Sequence, residues 1–348
     1  MPMTRKRRLR LAVLMGGRSG EHEVSLVSAN AVIAGLDAAK YSVTPILIPR
    51  SGAWRTAGKP LANPWAALAR FDLVLPILHG TYGEDGTVQG LLEMIGVPYV
   101  GAGVLGSAAA MDKDVMKRLF LQAGLPTPRF RALRRGGAWP ERALEREFGY
   151  PMFVKPANLG SSVGISKVHR RRELRPALEF AARYDAKLIV EEGVDARELE
   201  CAVLGNQQPE ASIAGEVIAG KEFYDYEAKY HDAGSRTLIP APVPAKTMAA
   251  VRALALRAFA ACECEGLARV DFFLERATGR LLLNEINTMP GFTPISMYPK
   301  MWEASGLPFP RLLDRLIALG LERARARRRN SAKRGGRALG TAGQLGAE

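Results

Sequence analysis

At 348 residues the chain is long enough for about two or three domains. Its 47% hydrophobic content is that of a globular protein, and no apolar run reaches the roughly 18–20 residues that a membrane helix needs. The net charge of +14 sits mostly at the two ends, in Arg5, Lys6, Arg7, Arg8 and Arg10 and in Arg323, Arg325, Arg327, Arg328, Arg329, Lys333, Arg334 and Arg337, which argues against a nucleic-acid surface spread over the fold.

After the basic start, Leu9 to Met15 reads as a strand. Gly16-Gly17-Arg18 ends the run too early for a secretory signal, so a cytoplasmic protein is expected. A glycine turn and a helix from about Glu23 to Ala38 follow. Val43 to Ile48 and Phe71 to Leu78 are the next strands, the latter ending in His79-Gly80. Gly86 to Ile95 reads as a helix and Pro98 to Val100 as a short strand. This alternation predicts a parallel sheet with helices on both faces, whose ligands sit at the carboxyl ends of the strands. The turns 16–23 and 79–86 both lie there. Gly101-Ala102-Gly103-Val104-Leu105-Gly106 matches the dinucleotide pattern but follows about 100 residues of α/β structure, with no acid ending a later strand. It reads as a domain-joining turn.

A helix from Asp112 to Ala123 is stopped by Leu125-Pro126-Thr127-Pro128. Pro151 to Pro156 and Gly164 to Val168 form a hairpin; a helix near 171–184 and the strand Lys187 to Glu191 complete a small α+β unit. A larger antiparallel sheet is predicted from Arg197–Leu204, Glu210–Ile218, Gly266–Leu274 and Leu281–Ile286, with a polar, aromatic loop from Phe223 to Thr237. Cys201, Cys262 and Cys264 make no disulfide framework and read as ordinary buried thiols. From about Arg323 to Glu348 the chain is rich in Arg, Ala and Gly without apolar periodicity, and a disordered tail is expected.

Two features carry chemistry. Asp271, Glu285 and Asn287 stand on two adjacent apolar strands, where oxygen-bearing side chains need a strong reason. Coordination of a hard cation is the best one, because Mg²⁺ takes oxygen ligands and bridges carboxylates to substrate phosphates. Between the earlier hairpin strands lies Lys155-Pro156-Ala157-Asn158-Leu159-Gly160-Ser161-Ser162-Val163-Gly164. Its glycines and serines expose N–H groups that can wrap a phosphate, although it is not a Walker loop.

A basic, glycine-rich flap preceding a sheet with such acids is the order found in ATP-grasp ligases. The stretches Gly16-Gly17-x-Ser19-x-Glu21-x-Glu23-Val24-Ser25, His79-Gly80-x-x-Gly83-Glu84-Asp85-Gly86, Met111-Asp112-Lys113, Gly160-Ser161-Ser162-Val163-Gly164, Phe223 to Tyr230 and Asn287-Thr288-Met289-Pro290-Gly291-Phe292-Thr293 together resemble the D-alanine–D-alanine ligase family, in order, over about residues 9 to 320. The resemblance implies an N-terminal parallel α/β domain (1–111) followed by a two-subdomain ATP-grasp fold, α/β and α+β in class. The smaller subdomain with the flap would span 112–194 and the metal-bearing one 195–322, before the tail at 323–348.

The resemblance also implies roles. Mg²⁺ or Mn²⁺, as two ions, would lie on Asp271, Glu285 and Asn287. ATP would be held by Lys113, Lys155, Lys229, Ser161 and Ser162, with Glu191, Glu192 and Glu198 at the adenine and ribose end. Glu21 would hold the ammonium of the first D-alanine, with His79 near its carboxylate. Arg269 and the Gly291 N–H would stabilise the oxyanion, and Ser296 would receive the second substrate's carboxylate. Ser161, Tyr230 and Glu21 would latch two loops over the substrates. Read without the family, Arg269 could simply pair with Asp271, Glu21 could favour a helix dipole, and Ser296 would be loop filler. A homodimer with no dedicated nucleic-acid or membrane partner is expected. The alternatives are a D-Ala–D-Ser or D-Ala–D-Lac ligase, for which Tyr230 is the discriminating residue, a non-catalytic ATP-grasp module, and a nucleic-acid-binding protein that uses the basic ends.

Overall fold

The computed structural model describes residues 7–161, 163–218 and 236–338. It opens with β1 (Leu9–Gly16), α1 (His22–Gly35), β2 (Tyr41–Ile48), the short pair β3 (Arg55–Thr56) and β4 (Lys59–Pro60), α2 (Pro64–Leu68) and β5 (Leu73–Pro76). The sheet order is β4-β3-β2-β1-β5, with β1 parallel to both β2 and β5. Leu11 to Leu14 are all fully buried because both faces of the sheet are covered. Leu11 and Val13 pack with Ala29 and Val32 of α1, whereas Ala12 and Leu14 join Val88 and Leu92 of α3 (Thr87–Ile95) on the other face.

Helices α4 (Val104–Met111) and α5 (Lys113–Gln122) lead into a second sheet. Asp112 caps α5 by accepting the N–H groups of Asp114 and Val115. The sheet holds β6 (Phe130–Arg134), β7 (Met152–Pro156), β8 (Ser166–Val168) and β9 (Lys187–Glu192) in the order β6-β9-β7-β8, with α6 (Glu141–Phe148) and α7 (Arg171–Ala181) packed on it. Its core, from Leu133 to Val190, is its own.

The third sheet, in the order β12-β11-β10-β13-β14, comprises β10 (Ala196–Gly205), β11 (Glu210–Ile218), β12 (Arg236–Leu238), β13 (Gly266–Glu275) and β14 (Leu281–Asn287), backed by α8 (Ala245–Ala261). Ala268, Val270 and Phe272 face α8 in one core. The strand's period of two therefore turns Arg269 and Asp271 to the opposite face. Finally α9 (Met297–Ala304) packs on β10 and β11, where the Tyr298 hydroxyl donates to Val203 O, and α10 (Phe309–Ala338) reaches back to β5 and α1 of the first layer. Leu312, Leu313 and Leu316 share a core with Leu11, Val13, Ala202 and Leu204, so the first and third sheets are packed around common residues.

Three expectations change. Residues 98–100 form only a single bridge, Val74 to Tyr99. The glycine-rich 101–106 stretch is not just a turn, because Gly103 caps α4. The segment placed in a disordered tail from Arg323 onward continues α10 as far as Ala338. Arg323 is buried, donates to the carbonyls of Gly101 and Tyr99, and lies 4.1 Å over the Tyr99 ring. A guanidinium with that many partners is a docking group rather than a solvated one. The cysteines are buried free thiols, and burial pushes Cys201 and Cys262 up to about 12. Among the described residues no helix is long and apolar enough to cross a membrane.

Candidate active site

The carboxyl ends of β1 and β5 meet the flap. Glu21 sits just before α1 without capping it through its side chain. Its carboxylate accepts the Ser161 hydroxyl from the flap. Gly80 has φ +72°, and a Cβ there would stand 2.5 Å from Glu21 Oε2; a Cβ on Gly160 would stand 3.1 Å from the same oxygen. Two backbones thus approach one carboxylate closely. Ser161 itself takes φ +50°, a conformation uncommon for a residue with a side chain and associated with ligand loops.

His79 is buried beside this point. Its Nδ1–H donates to Met289 O at 2.9 Å, and Nε2 lies 3.0 Å from Ser28 Oγ, which also accepts the Phe292 N–H. The ring thereby ties α1 to the loop after β14. Glu84 stands 3.6 Å from Nδ1. Burial pushes Glu84 up to about 7, with the His79 hydrogen bond pulling back and the Glu21 charge adding to the rise. Burial works against protonation of His79, but the hydrogen bond and charge of Glu84 leave it raised.

On the third sheet the antiparallel register sets Asp271 opposite Glu285 and Arg269 opposite Asn287. Both Asp271 oxygens accept from Arg269, at 2.7 and 2.6 Å, and Glu200 stands 3.2 Å from the same guanidinium. Burial alone would lower Arg269, but the two carboxylates raise it well above its usual value. The pairing anticipated as the plain structural role of Arg269 is therefore present, and it leaves Arg269 on the sheet face that carries the acids. Among the described residues no three His, Cys, Asp or Glu side chains form a ready metal cluster. Asp271, Glu285 and Asn287 nevertheless offer two carboxylates and an amide oxygen, a donor set that fits a hard dication sharing its shell with water and phosphate. The Asn287 Oδ1 already accepts the Met289 N–H at 2.9 Å, which fixes its direction.

Facing these acids are the lysines. Lys113 Nζ donates to Leu159 O in the flap at 2.7 Å and stands 3.4 Å from Glu285. Lys155 donates to Glu191 Oε2 at 2.6 Å, and the other Glu191 oxygen is 3.0 Å from Lys117, a residue that motif reading passed over. Glu191 is 2% exposed and Lys117 1%. Burial would raise Glu191, yet the two ammonium groups hold it at about 2. Glu192 accepts Arg129's backbone N–H and pairs with its guanidinium. Glu198 lies exposed on β10.

Gly291 and Ser296 are brought together. A Cβ on Gly291 would stand 2.7 Å from Ser296 Oγ, which also accepts the Thr293 N–H. Tyr230, Lys229 and Ser162 lie outside the described residues. The two partners that sequence reading missed, Lys117 and Glu84, each had a signal: Lys117 is one helical turn after Lys113, and Glu84 lies within the quoted His79–Gly86 stretch.

The family model described as "D-ala D-ala ligase C-terminus" matches residues 119–318, and "D-ala D-ala ligase N-terminus" matches 10–64 and 59–102. A relative named D-alanine--D-alanine ligase from Solibacter usitatus is 54% identical over 91% of this chain and 97% of its own. One of the same name from Heliobacterium modesticaldum is 47% identical over 93% of this chain and 98% of its own. Among solved structures, the D-alanine-D-alanine ligase from Coxiella burnetii superposes with a TM-score of 0.84 at 38% identity, covering 95% of this chain and 99% of the other. The VanG D-Ala:D-Ser ligase from Enterococcus faecalis gives 0.81 at 36%, covering 90% and 100%.

Proposed function

The chain belongs to the D-alanine–D-alanine ligase family, and from that premise we propose how the residues described above divide the work. It is an ATP-dependent ligase with an ATP-grasp fold, and it joins two D-alanine molecules. ATP and two D-alanines become D-alanyl-D-alanine, ADP, phosphate and a proton. A carboxylate oxygen of the first D-alanine attacks the γ-phosphorus and ADP leaves. The neutral amine of the second attacks the resulting acyl phosphate, loses a proton, and phosphate departs.

The observation that carries this reading is the convergence on Glu21 of Ser161 from the flap and Gly80 from the end of β5. Glu21 binds the ammonium of the first D-alanine, and the Ser161 contact shuts the flap over it, which excludes water from the acyl phosphate. Two anions meet in the first step, so positive charge is the main requirement. Lys113 and Lys155 supply it from the flap's root. Ser162 and Lys229 join them at the phosphates, while Glu191, acting through Lys155, belongs with Glu192 and Glu198 to the nucleoside end. Asp271, Glu285 and Asn287 would hold Mg²⁺ or Mn²⁺, as two ions, which neutralise phosphate charge when bound. His79, fixed by Met289 and Ser28, lies by the first carboxylate. Arg269 and the Gly291 N–H receive the oxyanion, and Ser296, beside Gly291, receives the second carboxylate. Tyr230 completes the latch with Glu21 and Ser161. We place the enzyme in the cytoplasm, where ATP is available, making the dipeptide of peptidoglycan precursors, as a homodimer.

The test is ATP-dependent phosphate release with D-alanine, with L-alanine, and with no amino acid, products being separated in a parallel run with added D-lactate at pH 7.5. Release that needs D-alanine and yields dipeptide is expected. Equal release in all three, or mainly ester with D-lactate, defeats the assignment.

A further inference from the structure

We propose that Lys117 is a positioning residue for the nucleotide: it serves as counter-ion to Glu191, so that Glu191 does not cancel the positive charge that Lys155 offers the phosphates. This rests on the ATP-dependent reading above and adds a residue to it.

Three charges lie together at the root of the flap. Lys155 is on β7, Glu191 on β9 and Lys117 on α5. The carboxylate is split between the two ammonium groups, Oε2 to Lys155 at 2.6 Å and Oε1 to Lys117 at 3.0 Å. All three side chains are nine-tenths or more buried. Within the trio one carboxylate meets two ammonium groups, an excess of one positive charge, while Glu285 and Glu198 act on Lys155 through charge alone. A buried charge of that kind is costly unless something of opposite sign comes to it. An incoming phosphate is such a partner, and Lys155, beside the Gly/Ser flap, is the ammonium that can meet it.

Lys117 cannot be that ammonium. It is 1% exposed, donates to Thr127 Oγ1 at 3.1 Å, and lies 5.9 Å from the Phe130 ring centroid. Thr127 in turn donates to Leu283 O on β14, the strand of Glu285 and Asn287. Helix α5 is held at its start as well, where Lys187 reaches Asp112. The ammonium of Lys117 is therefore fixed from the third sheet and presented to the second. Without it, Glu191 and Lys155 would form a closed neutral pair, and the charge offered to the nucleotide would be lost though Lys155 remained.

Nucleotide affinity should then follow the net charge of the trio. Burial lowers Lys117 and the Glu191 charge works against that. With Lys117 held as the ammonium by Glu191, the wild-type trio carries +1, K117M carries zero, and the double variant K117M/E191Q returns to +1. In K117M the KM for ATP and the dissociation constant of ADP, measured calorimetrically without D-alanine, should rise roughly 10–100-fold, the size of one charge-assisted hydrogen bond. The KM for D-alanine should stay within about twofold, and K117M/E191Q should regain at least half of the loss on a logarithmic scale. An unchanged ADP affinity in K117M overturns the proposal. So does an equal rise for ATP and D-alanine, which would mean a general collapse of the site, and so does a double variant no better than the single one. If K117M does not fold, judged by circular dichroism, T127V replaces it. A rise of a few-fold in the ADP constant then supports the proposal, and none overturns it. Wild-type phosphate release with D-alanine, run alongside, tests the ligase reading by itself.

Discussion

Arg269 is the residue on which charge and geometry bear most directly. Its fork holds Asp271 through two bonds and faces Glu200, on the strand face that carries the metal-binding candidates. Lysine keeps the charge but not the planar fork. R269K should therefore fold, while kcat falls about 10²–10³-fold, as for loss of an oxyanion donor. R269A should cost about 3–5 kcal/mol of stability as well, by stranding two part-buried carboxylates. Stopped assays paired with urea unfolding separate the two effects; an R269K enzyme with wild-type kcat would remove Arg269 from the chemistry. Glu84 makes a prediction of another kind. Its folded value lies near 7 against an ordinary 4.5, chiefly through burial. Between those values the folded state holds the proton that the unfolded chain has released. Stability must therefore fall as pH rises through that window, at most by about 1.4 kcal/mol per pH unit for one proton. His79, also raised, acts with the same sign above its ordinary 6.5. Glutamine at 84 cannot titrate, so the wild type should lose stability relative to E84Q between pH 5 and 7. A difference that stays flat would show that Glu84 is not held protonated.

At the scale of elements, α5 is the piece that joins the site. Met116 and Phe120, four apart, enter the core of the third sheet, whereas Lys113 and Lys117, also four apart, reach the flap and β9. The 3.6-residue period makes both stripes visible in the sequence. The identity of the far partner is not visible, because Glu191 meets Lys117 only once β9 and α5 are packed. The same limit explains α10: the arginines from 323 onward look like solvent-loving charge, and only the fold reveals Tyr99 and Gly101 as partners for Arg323. Strand β6, Phe-Arg-Ala-Leu-Arg, escaped notice because flanking arginines hide its alternation and its pairing with β9 comes from afar. By contrast the neighbourhood of Asp271, Glu285 and Asn287 was legible, since a hairpin's distance sets their strands side by side, whereas the register shift beside Asp271 that places it opposite Glu285 was not. The turn after β5 tests this level. Alanine at Gly80 must adopt φ +72° and place Cβ 2.5 Å from Glu21 Oε2. G80A should raise the KM for the first D-alanine at least about tenfold, with ADP affinity unchanged. Equal KM values in G80A and the wild type would mean that Glu21 does not hold that substrate.

For the molecule as a whole, the three sheets are not equally bound to one another. The first and third share a core, and α10 braces them further through Arg323 and through Arg327, which pairs with Glu93 and Glu265. The second sheet keeps a separate core and is joined largely by polar contacts: Lys113 to Leu159, Lys187 to Asp112, Lys117 to Glu191, and the flap's Ser161 to Glu21. Polar contacts exchange readily with water, whereas a shared apolar core does not, so movement within the molecule belongs to the second sheet and its flap. Substrates that neutralise the lysines and occupy Glu21 should draw this sheet inward. Hydrogen exchange at residues 157–161 should then slow at least about tenfold when ADP and D-alanine are present together, and less with either alone. In S161A the joint effect should shrink to that of ADP, because the only flap side chain seen to reach the first sheet among the described residues is gone. Full protection in S161A, or protection that spreads equally through β1 and β5, would mean that closure is not a motion of the second sheet against a rigid frame.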